Sequence, residues 1–213
     1  MCAVEPQSEG DCCQRDRVIG EPKAFGWVVG IYFGVSLFLS SAPVFALSGE
    51  LRLDKGFAQV LRKNQPIFLS KLGSTADLQA GDQLHTNEAG RVQFGFGTCK
   101  GQLDPEGYLE LRPTATGVNY WLSRGTLVLH CTEKTQVQTL EAVSQFKGSI
   151  EIKALKHRSL LSLLRGQASI ANLVYPGERL TLSAGERAEV SQLNRPIRLG
   201  RTEQKIDAED NTK

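Results

Sequence analysis

The residues best equipped for chemistry in this chain are three histidines, His85, His130 and His157, and five cysteines, Cys2, Cys12, Cys13, Cys99 and Cys131. A hydrolase built on a side-chain nucleophile needs that nucleophile, a base and an orienting group drawn together. Each histidine here stands alone. Asp82 and His85 are three apart in a segment that alternates like a strand, which sends their side chains to opposite faces. His130 adjoins Cys131, a pair of metal-ligating types, yet strand neighbours diverge and no Cys-x-x-Cys supplies a second pair. The Gly-x-Ser-x-Gly, phosphate-loop and His-Glu-x-x-His patterns do not occur. No catalytic residue, metal ligand or cofactor is expected, and the chain reads as a non-enzyme.

What the cysteines can do depends on where the chain resides. Residues 24–46, AFGWVVGIYFGVSLFLSSAPVFA, carry no charge and are long enough as a helix to cross a bilayer. Arg15, Arg17 and Lys23 precede them and favour a cytoplasmic amino end. Val44 and Ala46 occupy the −3 and −1 places of a signal-peptidase site, and Pro43 breaks the helix just before it. The reading preferred is a cleaved signal, with the cut between Ala46 and Leu47; a retained membrane anchor is the alternative. In either case the rest of the chain is expected outside the cytoplasm, periplasmic or otherwise extracytoplasmic. Cys2, Cys12 and Cys13 fall in the leader of residues 1–23, so Cys99 and Cys131 remain as an even pair in an oxidising compartment. They are expected to form a disulfide. Residues 47–213 have a formal charge of +4, from 22 Lys/Arg against 18 Asp/Glu, too weak to imply a polyanion partner. The basic cluster KALKHR (153–158) reads as a solvated hairpin rim, and no nucleic-acid footprint is expected.

The elements that position these residues are short alternating segments bounded by turn chemistry. FAQVLR (57–62) places Ala58 and Val60 on one face and Phe57, Gln59 and Leu61 on the other. Val92, Phe94 and Phe96 share a face in RVQFGF. DPEG (104–107) has Asp, Pro and Gly at the favoured places of a type I turn. Further strands follow in GVNYWL, GTLVLHC, TQVQTLEAV, GSIEIKAL, SLLSLLRG, ASIANLV, ERLTLS and ERAEVSQL. Alternation puts Tyr120 and Trp121 on opposite faces, so one of them is available as an aromatic platform. The expected class is all-β, a wound β-sandwich or irregular β-solenoid-like domain over residues 47–193 after an N-terminal hydrophobic helix. Residues 194–213 read as a polar tail, disordered beyond about residue 200.

A weak internal echo runs through this pattern. AGDQLHT, PGERLTL and AGERAEV share Gly, an acid and a following apolar residue. Glycine supplies a backbone angle that a Cβ would forbid, and the acid can satisfy turn amides before the strand starts. The spacing is irregular, which excludes a strict repeat array.

LQAGDQLHTNEAGRVQFGF resembles the signature of FecR-like domains, with Gly81, Asp82, Leu84 and Thr86 at its characteristic places. The likeness continues through GTLVLHC, through VQTLEAVSQFKGSIEIKAL with Gly148, through LLRGQASI with Gly166, and through LTLSAGERAEV with Gly185 and Glu186. It covers roughly residues 51–192. Gly97-Thr98-Cys99 stands where the family usually carries Asp-Gly-Ser. The resemblance implies an exported domain of iron-dicitrate-sensor type that binds a protein or envelope partner in signal sensing or regulation. Family regulators also carry a long cytoplasmic part that engages an extracytoplasmic-function sigma factor, where this chain offers residues 1–23. The alternatives are an anchored transmembrane regulator acting on such a sigma factor, and a carbohydrate-binding or structural envelope module using Trp121.

Overall fold

The computed structural model describes residues 48–115 and 117–201; the expected leader, apolar segment and Ala46–Leu47 cleavage site lie outside them. The described part is 73% strand and contains no helix, as the alternation requires. Every strand pairing is antiparallel.

The central run of the sheet comprises β4 (Thr75–Gln79), β1 (Ser48–Lys55), β6 (Arg91–Phe96), β7 (Cys99–Leu103), β9 (Gly117–Gln138), β10 (Ala142–Leu155), β11 (Arg158–Asn172), β13 (Glu186–Ser191) and β14 (Ile197–Arg201), in that spatial order. Off the first half of β9 hangs an arm of β8 (Tyr108–Thr114), β5 (Gln83–Thr86), β2 (Ala58–Arg62) and β3 (Gln65–Leu69). β12 (Arg179–Ser183) pairs with the second half of β11.

The long strands do not run straight. At about 3.3 Å per residue the ends of a straight strand the length of β11 would stand about 50 Å apart. Yet Ser191 is register partner to Arg158 at one end of β11, while its carbonyl accepts a 2.7 Å bond from Asn172 Nδ2 at the other. The β10–β11 hairpin therefore folds back on itself. Gly148 and Gly166 are cross-strand partners at the bend, with φ of 120° and 91°. A Cβ on Gly148 would strike the Arg165 carbonyl, and one on Gly166 the Lys147 carbonyl. β9 turns similarly at Gly125, φ 91°. There a bulge against β8 switches the buried set from Tyr120 and Leu122 to Leu127, Leu129 and Cys131.

Both returning arms lie over the central strands. Tyr120 Oη donates to the Phe96 carbonyl at 3.2 Å on one side, and Ser159 Oγ donates to Thr139 Oγ1 at 2.7 Å on the other. The result is a sandwich wound from one sheet. Its interior is one contiguous cluster, with Leu51, Val92, Phe94, Leu129, Ile152 and Leu161 from the central strands, Leu84, Leu109 and Leu122 from one arm, and Phe146, Ile170 and Leu182 from the other.

Three local expectations change. TQVQTLEAV, read as one strand, is divided by a turn at residues 139–141 between the end of β9 and the start of β10. Glu106 has φ 56°, so the Asp104–Gly107 turn has a left-handed third residue, as type II turns do, rather than type I geometry. The Asp104 carboxylate is engaged by Arg91 Nε (3.0 Å) and Gln102 Nε2 (2.7 Å) instead of its own turn. Within the segment read as a polar tail, Ile197–Arg201 forms β14 against β13.

Candidate protein-binding face

The turn glycines and acids are structural, and each has a definable task. Gly81 takes φ 94° and donates its N–H to the Leu111 carbonyl. Asp82, wholly buried, accepts from Gln79 N at 2.8 Å and closes the turn from inside. Arg62 grips the same carboxylate through Nε (2.9 Å) and Nη2 (2.8 Å). Hydrogen bonding to Asp82 raises the Arg62 guanidinium above its usual pKa, against the opposing effect of burial. The second AGE/D element repeats the device: Gly185 has φ 83° and donates to the Leu163 carbonyl, and Glu186 accepts from Ser183 N at 2.7 Å and pairs with Arg198 at 3.2 Å. PGERLTL differs, since Glu178 bonds no turn amide through its side chain and pairs with the exposed Arg195. Leu84 is core, and the buried Thr86 hydroxyl donates to the Asp104 carbonyl (2.7 Å) and accepts from Gly107 N (2.8 Å).

Cys99 and Cys131 are register partners on β7 and β9, with sulfurs at bonding distance, 2.10 Å. They lie in a cross-strand row, Gly49, Phe96, Cys99, Cys131, Gly148, Gly166, that traverses the molecule where the long hairpin bends. Gly97, with φ 57°, makes the two-residue β6–β7 turn, so Gly97-Thr98 closes the hairpin.

The histidines remain apart. His157 sits in the β10–β11 turn with φ 65°. His130 Nδ1 and Ser149 Oγ share a 2.7 Å hydrogen bond on the outer face, brought together by the β9–β10 register across 19 positions of sequence. Among the described residues no carboxylate bonds His130, so this pair lacks the orienting third group of a triad. No group of three or more His, Cys, Asp or Glu among the described residues is disposed to hold a metal ion.

A more extensive constellation covers the outside of the β5–β8–β9 arm. Tyr120 points inward and is buried, whereas Trp121 points out and is half-buried, as the alternation predicts. The Arg112 guanidinium lies over the Trp121 ring, 4.1 Å from its centroid. Tyr108 meets Trp121 edge-on, with centroids 6.3 Å apart and planes at 87°. His85 lies 6.4 Å from Tyr108 and accepts from Arg124 Nη2 at 2.8 Å, since a guanidinium has no acceptor. Tyr108 Oη donates to Gln83 Oε1 at 2.6 Å, and Arg112 Nε to Glu110 Oε2 at 3.0 Å. Burial, and then the Glu110 charge, push the Tyr108 phenol above its ordinary pKa, with Arg112 opposing. Cross-strand register continues the face to Gln59 and the exposed Phe68 at the β3 edge. Sequence reasoning found Trp121 and took His85 as an isolated histidine; it missed Arg112, and it missed that Tyr108 links His85 to Trp121, because strand register, not sequence proximity, brings them together.

No known family's profile matches the chain, and no curated protein matches it. Among solved structures, two crystal structures of a candidate anti-sigma factor from Parabacteroides distasonis ATCC 8503, at 2.50 and 1.65 Å resolution, are similar to it. Their TM-scores are 0.47 and 0.48, each at 15% identity. The match covers 58% of this chain and 62% of that protein, less than two thirds of the latter's length.

Proposed function

We propose that this chain is an exported, non-catalytic, FecR-like domain that works by binding a protein partner in signal sensing or regulation. The observation that carries the reading is the outward ladder of Arg124, His85, Tyr108, Trp121 and Arg112. Trp, Tyr and Arg are the side chains that most often dominate protein interfaces, because they bury much area at little entropic cost. The arrangement weighs against a sugar platform, since Arg112 already covers one face of the indole. Capture by the full chain, with Trp121→Ala beside it, tests the reading. Retention of a specific partner by the native chain, weakened at least about tenfold by the substitution, is expected. Equal retention by both, or none by either while a glycan array is bound, would overturn it.

Export rests on residues 24–46 and is supported by the Cys99–Cys131 pairing. Alkylation of the unreduced chain should label neither of these cysteines; two labelled thiols would refute the oxidised state. A retained anchor would make this an anchored regulator reporting to a cytoplasmic sigma factor, and carbonate extraction of membranes separates that case from the cleaved one.

A further inference from the structure

We infer that the cleft between the two arms of β9 is the seat of an extended segment of the partner protein, which adds there as a strand. This rests on the protein-binding reading and locates a second contact away from the Trp121 ladder. The cleft has a volume of about 480 Å³ and lies beside the disulfide row, where Phe96 and Cys99 line it. One wall is Gly117–Tyr120 and the other Glu133–Gln136, four consecutive residues on each side. A strand that lines a cleft with its pleated face contributes every second residue. The consecutive run Gly117–Tyr120 and the pair Thr135–Gln136 mean that the strand presents its edge there, while Glu133 and Lys134 lie in the register break between Cys131 and Thr135.

Those edges are open among the described residues. Gly117–Arg124 pairs with β8 on one side, and Thr135–Gln138 with β10 on one side, while neither stretch pairs with the other. Cleft-facing backbone N–H and C=O groups of Gly117–Tyr120 and of Thr135–Gln136 are thus available, while the Glu133 carbonyl accepts from Thr135 Oγ1 at 3.2 Å; an extended peptide answers the available groups directly. The walls add Asn119, Gln136, Thr98 and Thr114, side chains that donate and accept without charge. Glu133 and Lys134 contribute opposite charges. The whole favours a polypeptide backbone over a polyanion or a cation.

Site-specific photocrosslinking in the full chain tests this. Asn119 and Gln136, one on each edge, are replaced singly by p-benzoylphenylalanine, with Trp121 as a third position, and irradiated in the cells that make the protein. Expected is attachment from both cleft positions to the same short stretch of one partner chain. A synthetic peptide of that stretch should bind the full chain and lose at least about tenfold in affinity when prolines remove alternate N–H groups. Attachment to different proteins, to the chain itself or to a second copy, or peptide binding indifferent to proline, would overturn the inference. If Trp121 captures a partner and the cleft positions do not, the protein-binding reading survives without this cleft. If no position captures anything, both fail.

Discussion

Asp82 and Glu186 do the same work in two turns, but their surroundings set different costs for removing them. Asp82 is buried and holds both a turn N–H and the partly buried Arg62, so Asp82→Ala strands a guanidinium and an amide together. A loss of about 3 kcal/mol is expected. Glu186 pairs with Arg198, which reaches water, and Glu186→Ala should cost about 1 kcal/mol. Urea midpoints at neutral pH compare the two, and equal losses would contradict the assigned burial roles. Tyr120 gives the pH dependence. Burial raises its phenol well above the free value of about 10. The folded state therefore binds this proton more tightly, and the Tyr120 contribution to stability is constant below about pH 10 and is lost as pH rises beyond it. Tyr120→Phe should reduce this alkaline decline, leaving the part due to the also-raised Tyr108, while costing about 1 kcal/mol at neutral pH through the lost bond to the Phe96 carbonyl. Urea titrations from pH 8 to 11 show whether the slope changes.

At the scale of elements, what distinguishes this sheet is where its strands bend. Alternation made ten of the fourteen strands readable, because a pleated segment with one buried face writes a period of two into local sequence; β1, β4, β7 and β14 were not read as strands. The bends were readable only as breaks: the alternating segments start at Gly148 and stop at Gly166, but that the strands continue through both glycines and set them opposite each other comes from the register. Their need for glycine is twofold, since both have positive φ and both face a carbonyl that leaves no room for a Cβ. Gly148→Ala or Gly166→Ala should each cost about 2–4 kcal/mol. Gly95 is the internal control, because a Cβ there meets nothing within 4 Å and its φ is ordinary. Gly95→Ala should be neutral or stabilise by about 0.5 kcal/mol. Thermal midpoints suffice, and comparable losses at all three positions would show that the bend imposes no special demand. Two of the three Gly-acid turns were more legible, with Asp82 and Glu186 accepting from turn amides within four residues, whereas Glu178 pairs with Arg195 instead.

Over the whole molecule, the sequence pattern reached the fold class and the winding but not the strand order. Order depends on pairings between distant segments, such as β1 with β6 or the two halves of β9 with different neighbours. The same distance hid the ladder, where His85 meets Arg124 across 39 positions. Because β9 carries one arm, crosses the central strands and then enters the other arm, neither arm can leave without disturbing the shared interior. Hydrogen exchange tests that coupling. Amides of Leu127–Cys131 and Ile150–Ala154 lie in strands paired on both sides over the core, so their release requires opening of the entire sandwich. Amides of β3 and β14, each with one paired neighbour among the described residues, open locally. The central set should exchange at least about a thousandfold more slowly than the edge set, and Leu109, Leu122, Phe146 and Ile170 in the two arms should follow the central set. An arm that exchanged early as a block, with the central strands still protected, would mean that the common interior does not hold the two halves as one cooperative unit.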